Sequence, residues 1–147
     1  MKLKSNYGFV LASAIVSALL TQMVSCKKSD PAPSTQEVVK EKLLANNWKV
    51  QSVTVDDVDR TSMYQGMTIQ FAASTYTTTN GAAIWPATGA WSFTSGNATK
   101  LKRDDGIEVK IDVMDTTLKL SLNWPTTTLG SGRFESIKGQ NVFNFIK

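Results

Sequence analysis

The sequence predicts an all-β protein, an antiparallel barrel of eight or nine strands preceded by one short helix. Three observations carry this reading. From Trp48 onward the apolar residues recur with a period of two, as in strands with one buried face. Turn-forming residues return at roughly eight- to twelve-residue intervals, the spacing of a meander. No helical segment separates any two predicted strands, so their pairing is antiparallel. A sheet of that many strands removes its exposed edges by closing on itself. An eight-stranded barrel then either fills its interior with side chains or holds one small ligand.

The elements follow in order. Ser34, with Glu37 three residues later, forms a capping box that opens a helix over Glu37 to Asn46. In that helix Val39, Leu43 and Leu44 fall at helical spacing, and Asn46-Asn47 stops it. Strands are predicted at Trp48 to Val55, Met67 to Phe71, Thr75 to Thr79 and, after the Asn80-Gly81 turn, Ala82 to Trp85. Ala90 to Phe93 and Thr99 to Arg103 come next, separated by Ser95-Gly96-Asn97. Asp105-Gly106, the dipeptide preferred in type I′ hairpin loops, leads into Ile107 to Val113. Thr117 to Trp124, Gly132 to Ile137 and Asn141 to Ile146 close the series, with Lys138-Gly139-Gln140 as the last turn. The threonines of Ser74 to Thr79 and Thr126 to Thr128 suit strand and loop positions with a wet face.

Ahead of the barrel, Lys2 and Lys4 precede an uninterrupted small and apolar run from Gly8 to Leu20, the order of an export signal. The run is too short to span a bilayer, which takes about 20 apolar residues. Met23-Val24-Ser25-Cys26 then resembles the lipobox of bacterial lipoproteins, with methionine where leucine is usual. The resemblance implies cleavage before Cys26 and acyl chains on that residue, a stable anchor where a single chain would hold only reversibly. Ordinary cleavage at a small residue, or a short retained anchor, are the alternatives. The expected organisation is a signal peptide at 1–25, a lipidated cysteine and tether at 26–35, and the barrel domain at 36–147. The tether is rich in proline and serine and has nothing large and apolar to bury. Its nine residues after Cys26 reach about 30 Å when extended. Lys27-Lys28-Ser29-Asp30 carries a single acid, a weak counterpart of the charged patches that send some Gram-negative lipoproteins to the cell surface. The outer membrane is therefore the expected location, with the leaflet open.

Composition excludes several classes. Without residues 1–25 the chain has 122 residues and a side-chain balance of 14 basic to 12 acidic. Its cations, among them Lys100, Lys102, Arg103, Lys110, Lys119, Arg133, Lys138 and Lys147, are scattered among acids, not clustered as phosphate-tracking surfaces require. No nucleic-acid partner is expected. Cys26 is the only cysteine, so the domain depends on an apolar core and not on disulfides. The sequence contains no histidine, which removes Ser-His-Asp, Cys-His and histidine-based metal chemistry. Neither an enzyme activity nor a cofactor is expected.

The remaining constellations read mostly as structure. Asp56, Asp57 and Asp59 are close enough to gather a hard cation, yet they lack the glycine and distal glutamate of an EF-hand loop, and a solvated loop is preferred. Glu108, Lys110 and Asp112 alternate with Ile107, Val109 and Ile111, and Lys119, Ser121 and Asn123 alternate with Leu118, Leu120 and Leu122. The charges belong outside the barrel and the aliphatics inside. Trp85-Pro86 and Trp124-Pro125 each end a predicted strand, so their rings either pack on proline or form an exposed rim suited to a glycan or a headgroup layer.

Asn47-Trp48-Lys49-Val50, Thr68 to Phe71, Thr75-Tyr76-Thr77, Gly89 to Phe93 and Val142 to Phe145 together resemble small bacterial lipocalin-like lipoproteins across Glu37 to Lys147. Asn46 stands where lipocalins proper have glycine two residues before the tryptophan. The resemblance implies a barrel with an apolar cavity and carries over no catalytic residue. On this reading Trp48, Phe71, Trp91, Phe93 and Leu120 line a site for a small apolar or amphipathic ligand. The alternative is a filled barrel whose loops (Asp56 to Gln65, Ala87 to Gly89, Trp124 to Gly130) contact an envelope protein or a glycan.

Overall fold

The computed structural model describes residues 31–126 and 136–147. The signal segment, Cys26, Lys27 to Asp30 and most of the predicted strand Gly132 to Ile137 lie outside the described residues. The chain divides into Met1–Pro31 and Ala32–Lys147, and the second unit carries the fold.

A helix, α1 (Thr35–Leu44), is followed by nine strands: β1 (Asn47–Val55), β2 (Val58–Asp59), β3 (Thr68–Phe71), β4 (Thr75–Thr79), β5 (Thr88–Phe93), β6 (Lys100–Arg103), β7 (Glu108–Val113), β8 (Thr117–Trp124) and β9 (Gly139–Ile146). All pairings are antiparallel. The sheet runs β1-β3-β4-β5-β6-β7-β8-β9 and returns to β1, closing an eight-stranded barrel, with β2 as an extra strand on β1. β1 is long enough to serve three neighbours. Its first residues pair with β3, its last with β2, and its other edge with β9 across a register shift between Val50 and Ser52.

The alternation anticipated for β7 and β8 is present. Val109, Ile111, Leu118, Leu120 and Leu122 are buried, while Glu108, Lys110, Asp112 and Lys119 are exposed. The capping box also forms: Ser34 Oγ accepts from the Glu37 N–H, and Glu37 Oε2 accepts from the Ser34 N–H at 2.6 Å. The Ser34 N–H, and after it the Ser34 hydroxyl, hold the Glu37 carboxyl below its ordinary pKa. The helix ends two residues earlier than expected, at Leu44. α1 closes one end of the barrel, where Leu43 is fully buried and its carbonyl accepts from Trp48 Nε1 at 3.0 Å.

Three expectations are corrected at the other end. Ala82 to Trp85 forms a turn and not a strand: Ala82 has φ 52°, and the Trp85 N–H returns to the Gly81 carbonyl at 3.1 Å. Thr78 Oγ1 donates to the Trp85 and Pro86 carbonyls, which folds this apolar segment inward over the barrel mouth. Gly139 and Gln140 begin β9 and are not a turn, because Asp56 Oδ1 accepts the Gln140 N–H at 2.8 Å and draws that backbone into the sheet. Thr88 and Gly89 likewise belong to β5, not to a loop. A short 3-10 turn, Thr61–Tyr64, adds the fully buried Tyr64 to the same end.

Candidate functional site

The five residues proposed from sequence to line a ligand site all belong to the packed interior: Phe71, Trp91 and Phe93 touch in series, Trp48 bonds to the helix plug, and Leu120 lies in the core opposite Phe143 in register. Trp48 and Leu120 are fully buried and Phe71 nearly so, while Trp91 is 5% exposed and Phe93 half-buried. Phe71 meets Trp91 edge-on at 5.6 Å between ring centroids, and Trp91 meets Phe93 the same way at 5.0 Å. Trp91 Nε1 donates to the carbonyls of Ala72 (3.2 Å) and Thr75 (3.0 Å), fixing its ring beneath the β3–β4 turn. Edge-to-face pairs of this kind contribute about 0.5–1.5 kcal/mol each beyond the area they bury. Tyr64, Tyr76, Trp85, Phe143 and Phe145 occupy the rest of the interior, with T-shaped contacts from Tyr64 to Phe143 and from Tyr76 to Trp85.

Arg103 was counted from sequence among the scattered cations, but its side chain is fully buried. It lies on the inner face of β6 beside Leu101 and opposite Trp91 in register. Nη1 donates to the Ile84 carbonyl at 2.6 Å, and Nη2 donates to Asp105 Oδ2. The guanidinium carbon stands 4.8 Å from the Trp85 ring centroid and 5.8 Å from that of Tyr76. A buried charge demands a counter-charge and partners for its hydrogens; here Asp105 supplies the counter-charge, and the inward-folded turn meets Nη1 through the Ile84 carbonyl. Arg103 Nε, Trp85 Nε1 and Tyr76 Oη are buried without a hydrogen-bond partner among the described residues. Burial pushes the Tyr76 hydroxyl pKa up, opposed by the charge of Arg103 and reinforced by Asp104 and Asp105. The signal for Arg103 was present in its strand phase, since Leu101 and Arg103 share one face and Lys100 and Lys102 the other.

On the flank beside this layer a groove of about 330 Å³ is lined by Ser74, Trp91, Ser92, Lys102, Arg103 and Asp104, among others. Asp104 Oδ2 accepts the Ala90 N–H at 3.1 Å on its rim.

The remaining candidates resolve structurally. Of the two readings of Trp85, packing and an exposed rim, the rim is excluded, because the ring is buried against Tyr76, Phe143 and Arg103. Trp124 is half-buried at the end of β8. Asp56 and Asp57 form the two-residue loop joining β1 to β2, both with positive φ (47° and 65°) as a type I′ turn requires. Asp59 Oδ1 accepts from the Thr61 hydroxyl and N–H, and these two bonds hold its carboxyl below the ordinary value. The three aspartates thus serve the hairpin and its exit, and no cluster among the described residues is arranged to hold a metal ion. No described helix is long and apolar enough to cross a membrane.

No family model, curated protein or solved structure matches the chain.

Proposed function

We propose that this chain is a lipid-anchored cell-envelope protein, acylated at Cys26 and held at the outer membrane. Its lipocalin-like barrel is a filled scaffold that acts through its loops on an envelope protein or a glycan. The observation that carries this reading is the occupied interior. Trp48, Phe71 and Leu120, where an apolar guest would lie, are packed against neighbours, and α1 stoppers one end. At the opposite end the Asp56–Met67 connection and the 80–87 turn are long for hairpin links. Long connections set on a rigid scaffold are where binding residues concentrate. The lipidation reading rests on the lipobox and the preceding hydrophobic run alone.

A second reading, one small amphipathic ligand per barrel, is favoured by the groove beside Trp91. There an indole edge lies among Ser74, Lys102 and Asp104, the apolar-plus-polar lining such a molecule needs.

Native mass spectrometry of the acylated protein released gently from its own envelope tests both. The expected spectrum shows the acyl increment on Cys26 and no further small molecule, with in-situ crosslinks concentrated on residues 56–67 and 80–87. A stoichiometric small molecule, lost in Trp91→Ala, overturns the filled-scaffold reading in favour of the second.

A further inference from the structure

Four large apolar side chains stand exposed among the described residues: Val38, Val58, Met114 and Ile146. Singly placed, such residues need no explanation. Three of the four, however, gather at the α1 end of the barrel. Val38 lies on α1, Met114 in the turn between β7 and β8, and Ile146 at the finish of β9. These segments are fastened together. Lys42 Nζ of α1 meets Asp115 Oδ1 at 2.8 Å, the Met114 N–H donates to the Thr117 carbonyl at 2.8 Å, and Ile146 is the register partner of both Thr117 and Lys49. A groove of about 380 Å³ runs between them, lined by Val38, Lys42, Ala45, Asp115 and Lys147 among others. Met114, at 59%, is the most exposed of the four.

The chain enters the domain at this same end. Gln36 Nε2 donates to the Ser95 carbonyl in the β5–β6 connection at 2.9 Å, so the first turn of α1 is held there. Only eight residues separate Cys26 from Thr35, a reach of at most about 30 Å.

We infer that the α1 end is a membrane-seating surface. Val38, Met114 and Ile146 enter the headgroup region of the bilayer that holds Cys26, and Lys42, Lys49 and Lys147 lie at headgroup level. The inference rests on the proposed acylation of Cys26. Three apolar tips are too small a surface to hold a protein on a membrane by themselves, since interfacial binding scales with buried apolar area and with attraction to anionic lipid. A short tether removes that difficulty by keeping the surface at high effective concentration beside the bilayer. Glu41 and Asp115 share this end, and the ion pair with Lys42 meets the charge of Asp115. The lysine stems cover apolar surface while their amines stay wet. Seated in this way, the barrel holds residues 56–67 and 80–87 away from the membrane.

The test uses the full chain purified from membranes, with the mass of the Cys26 peptide measured first. Met114→Cys and, at the opposite end, Val58→Cys are labelled with the environment-sensitive dye NBD. An acylated Cys26 has no free thiol to react. In phosphatidylethanolamine–phosphatidylglycerol vesicles the Met114 label is expected to emit to the blue of the Val58 label and to be reduced by dithionite several-fold more slowly. Equal emission and equal reduction at the two positions on an acylated protein would overturn the seating surface and leave the anchor standing. A Cys26 that carries no acyl mass and takes the dye removes the anchor, and the inference falls with it before any vesicle is made.

Discussion

Replacing Arg103 by methionine isolates what the buried guanidinium contributes. Methionine keeps most of the aliphatic stem, so the substitution opens little cavity. It deletes the 2.6 Å bond to the Ile84 carbonyl, the pairing with Asp105 and the stacking over Trp85 at 4.8 Å. A carbonyl buried and left unpaired costs about 1–3 kcal/mol, and a desolvated cation–π contact contributes about 1–2 kcal/mol. Asp105, whose side chain is 36% exposed, regains water and recovers part of its share. The expected loss is therefore about 3 kcal/mol, read from guanidinium chloride unfolding followed by tryptophan fluorescence. Asp105→Ala should be at least as damaging although it removes a partly exposed group, because it strands the cation in the interior. Limited proteolysis supplies a local readout: cleavage within residues 80–87 should accelerate in both variants, since Ile84 and Trp85 lose their latch. An Arg103→Met protein within 1 kcal/mol of wild type, with unchanged cleavage, would refute the reasoning. It would mean that desolvation of the guanidinium cancels everything the charge contributes, as hydrophobic replacement of buried ion pairs can do.

Further outcomes follow from single contacts. A Cβ at Gly89 would lie within 2.5 Å of Tyr76 Cζ and closer still to its hydroxyl, so Gly89→Ala should cost about 1–3 kcal/mol by overpacking. Calorimetry of Gly89→Ala in a Tyr76→Leu background should recover part of that loss, and strict additivity would contradict the clash. Asp57 holds φ 65° without a glycine, a conformation that costs an L-residue about 1–2 kcal/mol, so Asp57→Gly should raise the unfolding midpoint; a lowered midpoint would exclude backbone strain at that turn. The hydrogen bond and charge of Lys42 hold the Asp115 carboxyl below its ordinary value of 3.8. With the folded pKa depressed, the clamp between α1 and the β7–β8 turn contributes at neutral pH and is lost as pH falls through that lowered value. An NMR titration should place the Asp115 midpoint below 3.8 and return it toward 3.8 in Lys42→Met, and coincident midpoints would show that the pair does not form.

The strands were legible wherever alternation and turn chemistry agreed. Thr75–Thr79 and Thr117–Trp124 have the bounds read from sequence, and the leucines of β8 declare their buried face without ambiguity. The mouth of the barrel was not legible in the same way. Ala82-Ala83-Ile84-Trp85 is a short apolar run after Asn-Gly, and periodicity alone does not separate a buried strand of four residues from a turn that buries two side chains. What decides it is the Thr78 hydroxyl reaching back to the Trp85 and Pro86 carbonyls, a contact no local pattern encodes. The β1–β2 hairpin has no local signal, because its loop is Asp-Asp and not the Asn-Gly or Asp-Gly that marks a type I′ turn. The phase of β6 marks Arg103 as inward-facing, against the general rule that arginines are almost never fully buried unless paired.

The closing seam has a kinetic meaning. β1 meets β9, so Ser52 and Asn144, 92 positions apart, share a hydrogen bond at 3.0 Å. Every other pairing in the barrel joins strands that neighbour each other along the chain or nearly so, and these can zip progressively. The seam alone requires the ends of the sheet to find each other, at an entropic cost near 4 kcal/mol for a loop of that size. Until that seam forms, the sheet is a curling ribbon with two adhesive margins, β1 and β9. On this topology, closure of the ring is expected to come last in folding, and the open ribbon to be the form most exposed to pairing with a neighbour.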